Sequence, residues 1–412
     1  MSASYETQHG AARHPVWGVS LPWSMRVLLS VLMLVTLVIG WRASSEWKRI
    51  EKVPLGPYVG VATLVGDPQP IGAGARVVLR IRGWRYEASL YGANARRVMR
   101  HLQGESVRVS GEREALNSDG AHRKRVRHIA GRFTNVRLGG EWTSGSAPTR
   151  ATNRLRRLVA RGTSVLPAND AALTLGLLIG DDRAQPREMI QAFRDAGLSH
   201  LTAVSGQNIA FVLAVAAPLL TRLRSRARLG TTWALLGMFV LMTRAEPSVL
   251  RAAMMAGAAA VCFSFGWTQR TLVILVLSAA VLLVVDPMLL WSVGFWLSVG
   301  ATAGLATLAA PLSRRLALWR VPRVLVGPLS TTLAAQLGTL VPMFVVFGRF
   351  STVGIVTNLL AVPVAGAVML VGLPVCFVAG VVGDGAGAIL TLPVMAGVRW
   401  VWWVAVLGQR LS

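Results

Sequence analysis

The feature that most limits the fold of this chain is a series of apolar runs, most of them close to the length that crosses a bilayer. A membrane-spanning helix needs roughly 20 apolar residues, and we count about nine such runs in the 412 residues. They lie at 26–41, 198–220, 230–244, 247–266, 271–285, 288–310, 324–347, 353–380 and 385–407. The mean hydropathy of +0.52 agrees with this pattern. We therefore predict a polytopic α-helical membrane protein.

The stretch between the first two runs has a different pattern. Short alternating or β-branched segments at 58–65, 76–82, 84–91, 105–111 and 126–138 predict five strands. A helix is predicted at 93–102, between the third and fourth of them. This order suits an OB-type barrel, a fold that often holds single-stranded nucleic acid or oligosaccharide. We expect an extracytoplasmic all-β (OB-like) insert at 55–140.

Arginines in short loops predict the orientation in the membrane. Such residues favour the cytoplasm, and the loops at 221–230 and 313–323 each hold four arginines. With both loops inside, we expect a cytoplasmic N-terminus, an extracytoplasmic C-terminus and an insert outside the cell. The predicted units are a cytoplasmic tail (1–25), a transmembrane anchor (26–41), the basic OB-like domain (55–140), a transmembrane core (165–375) and a C-terminal transmembrane segment (376–412).

The insert and the segment after it are strongly basic. Residues 76–161 hold about twenty Arg and Lys against about six Asp and Glu, in a chain of net charge +25. This excess is either a solvated surface or a groove that binds phosphates, with Trp84, Tyr86 and Tyr91 available for base stacking. We favour the groove because acidic residues are few. The predicted DNA-binding residues are Arg80, Arg82, Trp84, Arg85, Arg96, Arg97, Arg100, Lys124, Arg125 and Arg127.

Polar residues in or beside the apolar runs predict a water-filled passage, because unsatisfied polar groups are costly in hydrocarbon. A short apolar run that ends at Gly180 predicts a re-entrant or interfacial segment, followed by an amphipathic helix between Pro186 and Gly197. The predicted pore residues are Asp181, Asp182, Arg183, His200, Ser205, Gln207, Asn208, Arg251, Gln336 and Asn358.

Three of these predictions have alternatives. Asp181 and Asp182 are either a functional pair of carboxylates or structural caps for the residues that follow, and we favour the second. His200 and Ser205 lie about 140° apart around a helix, which does not suit a nucleophile and its base. Arg251 either reaches outward to the interface or lines the passage, and the sequence leaves both open.

Several blocks of the sequence resemble one known family. The segments GLLIGDD (176–182) and AFRDAGLSHLTAVSGQNIAFVLA (192–214) resemble the competence domain of the ComEC family of DNA-uptake channel proteins. Its other blocks are similar to PSVLRAAMMA (247–256), DPMLLWSVGFWLSVGAT (286–302) and the segment at 335–364. The resemblance covers roughly 165–375. It implies a channel that conducts single-stranded DNA across the cytoplasmic membrane in natural transformation.

The chain departs from that family in two places. Many relatives have a metallo-β-lactamase-like nuclease domain, whereas the six histidines here form no HxHxDH cluster. Gln207 and Asn208 stand where many relatives have an apolar residue followed by His. We therefore expect no enzymatic activity, and a separate chain would have to supply any nuclease.

The expected partners follow from these patterns and from the resemblance. No GxxxxGK segment followed by Ser or Thr occurs, so any ATP-driven pulling needs a separate cytoplasmic helicase-like ATPase. The other expected partners are single-stranded DNA, membrane lipid and a separate nuclease, and a homo-oligomer is left open. We expect no cofactor and no metal. The alternative function is an intramembrane enzyme or transporter that acts on a cell-envelope polyanion or glycan.

Overall fold

The computed structural model describes residues 23–117, 120–202, 206–268, 270–319, 321–347 and 353–412. These ranges contain an N-terminal helix, a sheet domain and a larger helical domain. The predicted cytoplasmic tail (1–25) lies almost wholly outside them. The predicted anchor falls within the N-terminal helix α1, Trp23–Glu51.

The sheet domain contains the five predicted strands and one further strand. The strands are β1 (Gly56–Leu64), β2 (Gln69–Ile71), β3 (Gly74–Ile81), β4 (Trp84–Tyr91), β5 (Ser106–Ala115) and β6 (Ile129–Thr143). Two short helices, α2 (Gly92–Val98) and α3 (Ala121–Val126), lie between strands. The strand order is β1-β5-β6-β4-β3-β2, and β1 also pairs with β3. Five of the strands therefore form a closed ring.

One pairing in this ring is short and parallel. β4 and β6 pair only where Arg85–Glu87 lies beside Ile129–Arg132, with a register shift after Arg85. The other pairings in the ring are antiparallel. Beyond Glu87 and Arg132 the two strands have no pairing with each other, which leaves an opening in the wall of the ring.

Side-chain alternation explains which residues fill the sheet domain. In β4, the inward residues Tyr86, Ala88 and Leu90 are buried and the residues between them are not. Inward residues of the other strands, among them Leu79, Val109 and Phe133, join the same core. Successive strand residues point to opposite faces, so the sequence pattern fixes this packing.

The helical domain follows the sheet domain in sequence. Its helices are α4 (Ala147–Thr163), α5 (Ala168–Ile179), α6 (Arg187–Asp195), α7 (Ser199–Thr202), α8 (Gln207–Leu220), α9 (Ser225–Met242), α10 (Pro247–Ser264), α11 (Thr271–Val285), α12 (Val293–Leu318), α13 (Arg323–Phe347), α14 (Val353–Val382) and α15 (Asp384–Leu411). A 3-10 helix, Pro287–Trp291, lies between α11 and α12. The side chain of Asp286 caps it by accepting the N–H of Met288 at 3.0 Å.

Five helices in the described ranges are long and apolar enough to cross a membrane. They are Pro247–Ser264, Val293–Leu318, Arg323–Val346, Val353–Val382 and Gly385–Leu411. Three shorter apolar helices are α5, α8 and α11. The run predicted at 198–220 is not one helix, because α7 ends at Thr202 and α8 begins at Gln207.

Glycines set the closest helix contacts in this domain. Gly300 and Gly304 of α12 face Gly338 of α13, where an added Cβ would lie 2.9 Å from the Cα of Gly304. Gly162 of α4 and Gly380 of α14 likewise bring two backbones into contact. Small residues allow such close approach between apolar helices. The α4–α14 contact fixes the helix that follows the sheet domain against the membrane helices.

Candidate functional site

The ten predicted DNA-binding residues do not form a single groove. Six arginines are exposed, namely Arg80, Arg82, Arg96, Arg97, Arg100 and Arg127. The other four already have partners or neighbours within the protein. Lys124 pairs with Glu87, Arg125 pairs with Glu51 at 3.4 Å, Arg85 donates to the Arg127 carbonyl at 3.4 Å, and Trp84 packs against the cluster of Ile50, Ala130 and Met288.

The prediction that Tyr86 is available for base stacking is wrong. Its side chain is fully buried in the core of the sheet domain, and its hydroxyl donates to the Pro54 carbonyl at 2.8 Å. The reason is the alternation of β4, which turns Tyr86 inward and leaves Tyr91 at the end of the strand 67% exposed. Of the three aromatic residues considered, only Tyr91 is exposed enough to stack on a ligand.

The opening between β4 and β6 forms a cleft of about 660 Å³. Tyr91, Asn94, Arg132 and Arg137 lie along it, together with polar residues of β6. None of the ten predicted DNA-binding residues lines this cleft. An exposed aromatic ring beside two arginines has the chemistry to hold a base and its phosphates.

A buried ion-pair network joins the sheet domain to the helical domain. Asp67, in the loop after β1, accepts hydrogen bonds from Arg156 of α4 at 2.9 Å and from Arg244 after α9 at 2.6 Å. Arg244 also donates to Asn153 of α4 at 3.2 Å. Burial acts to raise the pKa of Asp67, but the charges of Arg156 and Arg244 outweigh it and hold that pKa below its ordinary value. The carboxylate is therefore ionised and fixed.

The two predicted carboxylates after α5 have different surroundings. Asp181 binds Arg183 through both oxygens at 2.7 Å and Arg156 at 3.0 Å, so it belongs to the buried network. Asp182 is exposed. Burial acts to raise the pKa of Asp181, but Arg183 and Arg156 hold it below its ordinary value. An ionised carboxylate with both oxygens bound is a poor general acid, which favours a structural role for Asp181.

A second polar site lies among α8, α10 and α12. Arg251 is 6% exposed and therefore does not reach outward to an interface. Its Nε donates to the Ser298 hydroxyl at 2.8 Å, and one terminal nitrogen lies 3.1 Å from the Met255 sulfur. Among the residues that the structure describes, no carboxylate forms an ion pair with Arg251.

The start of α8 packs directly against this arginine. A Cβ added to Gly206 would lie 3.1 Å from a terminal nitrogen of Arg251 and 2.9 Å from the Cβ of Ala252. The Gly206 backbone has an ordinary helical conformation, so the glycine is needed for space. Gln207 is exposed, whereas Asn208 is buried and donates to the Leu177 carbonyl of α5 at 3.2 Å. Asn208 thus fixes α8 to α5.

The remaining predicted pore residues are spread over the helical domain. Gln336 of α13 and Asn358 of α14 are partly buried, and each side-chain carbonyl oxygen is buried with no hydrogen-bond partner among the described residues. His200 is exposed on α7, apart from the helix that holds Gln207. Ser205 lies outside the described residues. Within the described ranges, no group of three or more His, Cys, Asp or Glu could hold a metal ion.

Residues 177–412 match the competence protein family. The chain belongs to this family. It is also 29% identical over 212 residues to ComE operon protein 3 of Bacillus subtilis, a match that covers 50% of this chain and 26% of that protein. An uncharacterised Escherichia coli protein, YcaI, is 28% identical over 227 residues, which cover 51% of this chain and 29% of YcaI. The chain thus matches less than a third of either relative. No solved structure matches it.

The geometry of this competence-family chain also brings in residues that the sequence patterns did not single out. Asp67, Arg156 and Arg244 meet only through the fold, since Asp67 and Arg244 are 177 positions apart. Ser298 is one of many serines in apolar runs. By contrast, a signal was available for α4, where Arg150, Arg154, Arg157 and Arg161 recur at helical spacing.

Proposed function

We propose that this chain forms the passage through which single-stranded DNA crosses the cytoplasmic membrane during natural transformation. Membership of the competence protein family and the similarity to a ComE operon protein support a role in DNA uptake. The proposal for a passage within this chain rests on its own residues, above all on Arg251.

Arg251 is the observation on which the proposal depends. A charged residue within a membrane helix is costly, and such residues commonly mark a pathway for an ion or substrate. Here the guanidinium lies between α8, α10 and α12 with a hydroxyl and a sulfur as its neighbours. A phosphate that moves past would supply the missing negative charge. One fixed cation binds each phosphate weakly enough to release it, as conduction requires.

The sheet domain is proposed to collect the strand before it reaches Arg251. The closed ring of five strands, with α2 between its third and fourth members in chain order, fits an OB-type barrel. Its exposed arginines supply the phosphate contacts, and the cleft beside Tyr91 supplies a stacking surface. We propose that this domain lies outside the cell, that the N-terminus is cytoplasmic and that the C-terminus is extracytoplasmic.

The proposed partners follow from the same scheme. Single-stranded DNA is the cargo, membrane lipid surrounds the apolar helices, and a separate nuclease and a cytoplasmic helicase-like ATPase act on the strand. The chain itself is proposed to have no enzymatic activity.

Ionic current through a planar bilayer tests the proposal without the ATPase, because an applied voltage pulls a polyanion. The full chain is inserted into the bilayer, and oligothymidylate is added to one side. We expect transient current blockades by the single strand, fewer by a duplex of the same length, and none in Arg251→Leu. Arg226→Leu, which removes an exposed charge between α8 and α9, is the control and should retain the blockades.

Two results would contradict the proposal. One is the absence of any ionic current from the wild-type chain. The other is an anionic polysaccharide that blocks the current as strongly as DNA does, which would favour the alternative of a transporter for an envelope polymer.

Labelling with a membrane-impermeant maleimide tests the proposed orientation. Arg123→Cys, on the exposed α3, should react in intact spheroplasts, whereas Arg226→Cys should react only after lysis. Cys262 and Cys376 are replaced by Ser in both variants. The reverse pattern would place the sheet domain in the cytoplasm and remove its role as a collector.

A further inference from the structure

Helix α4 has an exposed stripe of arginines that lies opposite its buried face. Arg150, Arg154, Arg157 and Arg161 are all exposed. Their spacing of four, three and four residues places them on one side of a helix. The opposite side packs into the protein through Thr152, Asn153, Arg156, Val159, Gly162 and Thr163. The helix has no acidic residue to neutralise the stripe.

The stripe has a fixed position between the two domains. α4 begins four residues after β6 ends, and its far end is held against α14 by the close contact of Gly162 and Gly380. Along the axis, successive arginines are about 6, 4.5 and 6 Å apart, given a rise of about 1.5 Å per residue. The charges therefore follow a line from the sheet domain towards the membrane helices.

A small cavity lies beside the stripe at the junction of the domains. It has a volume of about 180 Å³, and Arg100, Arg156, Arg157, Arg183 and Asp181 contribute to its lining. Arg157 is paired with Glu105 at 2.6 Å, and Arg100 extends the line of charge onto the sheet domain. Four guanidinium groups thus surround a space that contains one lining carboxylate.

The buried arginine of this cavity has an unused donor. Arg156 is 4% exposed, and its terminal nitrogens donate to Asp67, Asp181 and the carbonyls of Ile179 and Met242. Its Nε is buried and has no partner among the described residues. A buried N–H without an acceptor costs about 1–3 kcal/mol. A ligand oxygen in the cavity would remove that cost, which is why the cavity points to an anion.

We propose that the α4 stripe and this cavity form a track for the phosphates of a single strand between the sheet domain and the membrane helices. Guanidinium groups bind phosphate oxygens in pairs, and a line of them suits a chain of phosphates. Continuity with Arg100 on the sheet domain favours a strand over lipid headgroups, which would contact the stripe only at the membrane surface. The inference rests on the proposed function, since it assigns the part of the route that precedes Arg251.

The salt dependence of oligothymidylate binding tests the track. The full chain is placed in nanodiscs of zwitterionic lipid, and the affinity for a fluorescent oligothymidylate is measured over a range of KCl concentrations. Each phosphate contact contributes about 0.7 to the slope of log affinity against log salt for single strands. The triple variant Arg150→Gln, Arg154→Gln, Arg161→Gln should therefore lower the slope by about 2.

Two further variants complete the design. Arg222→Gln, Arg224→Gln, Arg226→Gln removes three exposed arginines between α8 and α9, and the slope should not change. Arg150→Lys, Arg154→Lys, Arg161→Lys keeps the charges and should keep most of the slope. An unchanged midpoint of thermal unfolding in the glutamine triple confirms that the chain still folds.

The outcomes separate the track from the proposed function. An unchanged slope in the glutamine triple, together with wild-type binding and current blockades, overturns the track alone. Loss of binding to vesicles of anionic lipid, with oligothymidylate binding unchanged, also overturns it and assigns the stripe to lipid headgroups. A wild-type chain that binds no oligothymidylate at low salt overturns the track and also removes the main support for the proposed function.

Discussion

The junction of the domains and the membrane helices each bury an arginine, and the two arginines differ in what surrounds them. Arg156 is 4% exposed and Arg251 is 6% exposed. Arg156 binds two carboxylates and two backbone carbonyls, whereas Arg251 binds a serine hydroxyl and approaches a methionine sulfur. Similar burial thus occurs with and without compensation of the charge.

This difference separates a structural charge from a functional one. A buried ion pair loses much stability when one partner is removed, because the other charge is left without compensation. A buried charge that has no partner already has that cost, so its removal should not destabilise the fold. The chain keeps Arg251 in spite of this cost, which is expected of a residue that meets its partner only during function.

The largest expected effect is at the junction. Asp67→Asn leaves Arg156 and Arg244 without a shared carboxylate, and the free energy of unfolding should fall by about 3–5 kcal/mol. The measurement is denaturant unfolding in detergent, followed by the fluorescence of the chain. Asp182→Asn, at an exposed carboxylate nearby, should change the value by less than about 0.5 kcal/mol. Equal effects of the two variants would remove the contrast with Arg251.

The second prediction concerns Arg251 itself. Arg251→Leu replaces an uncompensated charge by an apolar side chain, and the free energy of unfolding should rise by on the order of 1–4 kcal/mol. The same variant should lose the current blockades. A loss of stability in this variant would mean that Arg251 has a structural partner, and the two arginines would then have the same role.

The third prediction uses the glycine beside Arg251. Gly206→Ala places a Cβ against Ala252 and the guanidinium, so the unfolding free energy should fall by about 1–3 kcal/mol. Gly237→Ala is the matched control within α9, where nothing lies within 4 Å of the added Cβ. The control should gain about 0.5–1 kcal/mol, since alanine favours a helix interior. If both variants gain stability, Arg251 is free to move away.

The smallest expected effect is at Gln336. Its buried carbonyl oxygen lacks a partner among the described residues, so Gln336→Leu should raise the free energy of unfolding by about 1 kcal/mol. Leu337→Ala at an exposed neighbour is the control for a change of side chain on α13. Shorter blockades in Gln336→Leu would place this amide on the passage with Arg251. Unchanged blockades together with a loss of stability would show that the amide has a structural partner.

Local patterns in the sequence predicted the elements that depend on local physics. Alternation predicted β3 and β4 to within two residues, and Gly180 and Gly197 end α5 and α6 in the left-handed conformation typical of helix ends. The same alternation, applied to each side chain, would have placed Tyr86 in the core. The stripe on α4 was equally visible as a spacing of four, three and four residues.

Contacts between distant segments were beyond the sequence patterns. The sites at Asp67 and Arg251 each require three segments to meet, and no periodicity encodes that. The division of the run 198–220 into α7 and α8 was also missed, because the residues on both sides are apolar enough for one helix. Hydropathy responds to average composition and does not detect a break of a few residues.

The attachment of Asp67 to Arg156 and Arg244 has a consequence for motion. The loop after β1 cannot swing away from α4 and α9 without separating opposite charges that lie outside bulk water. A hinge at this point would be expensive, so the barrel and these two helices should move as one rigid body. If a channel in this chain has a gate, the gate must therefore use other helices, and the loosely held α12–α13 hairpin is the part with the fewest such restraints.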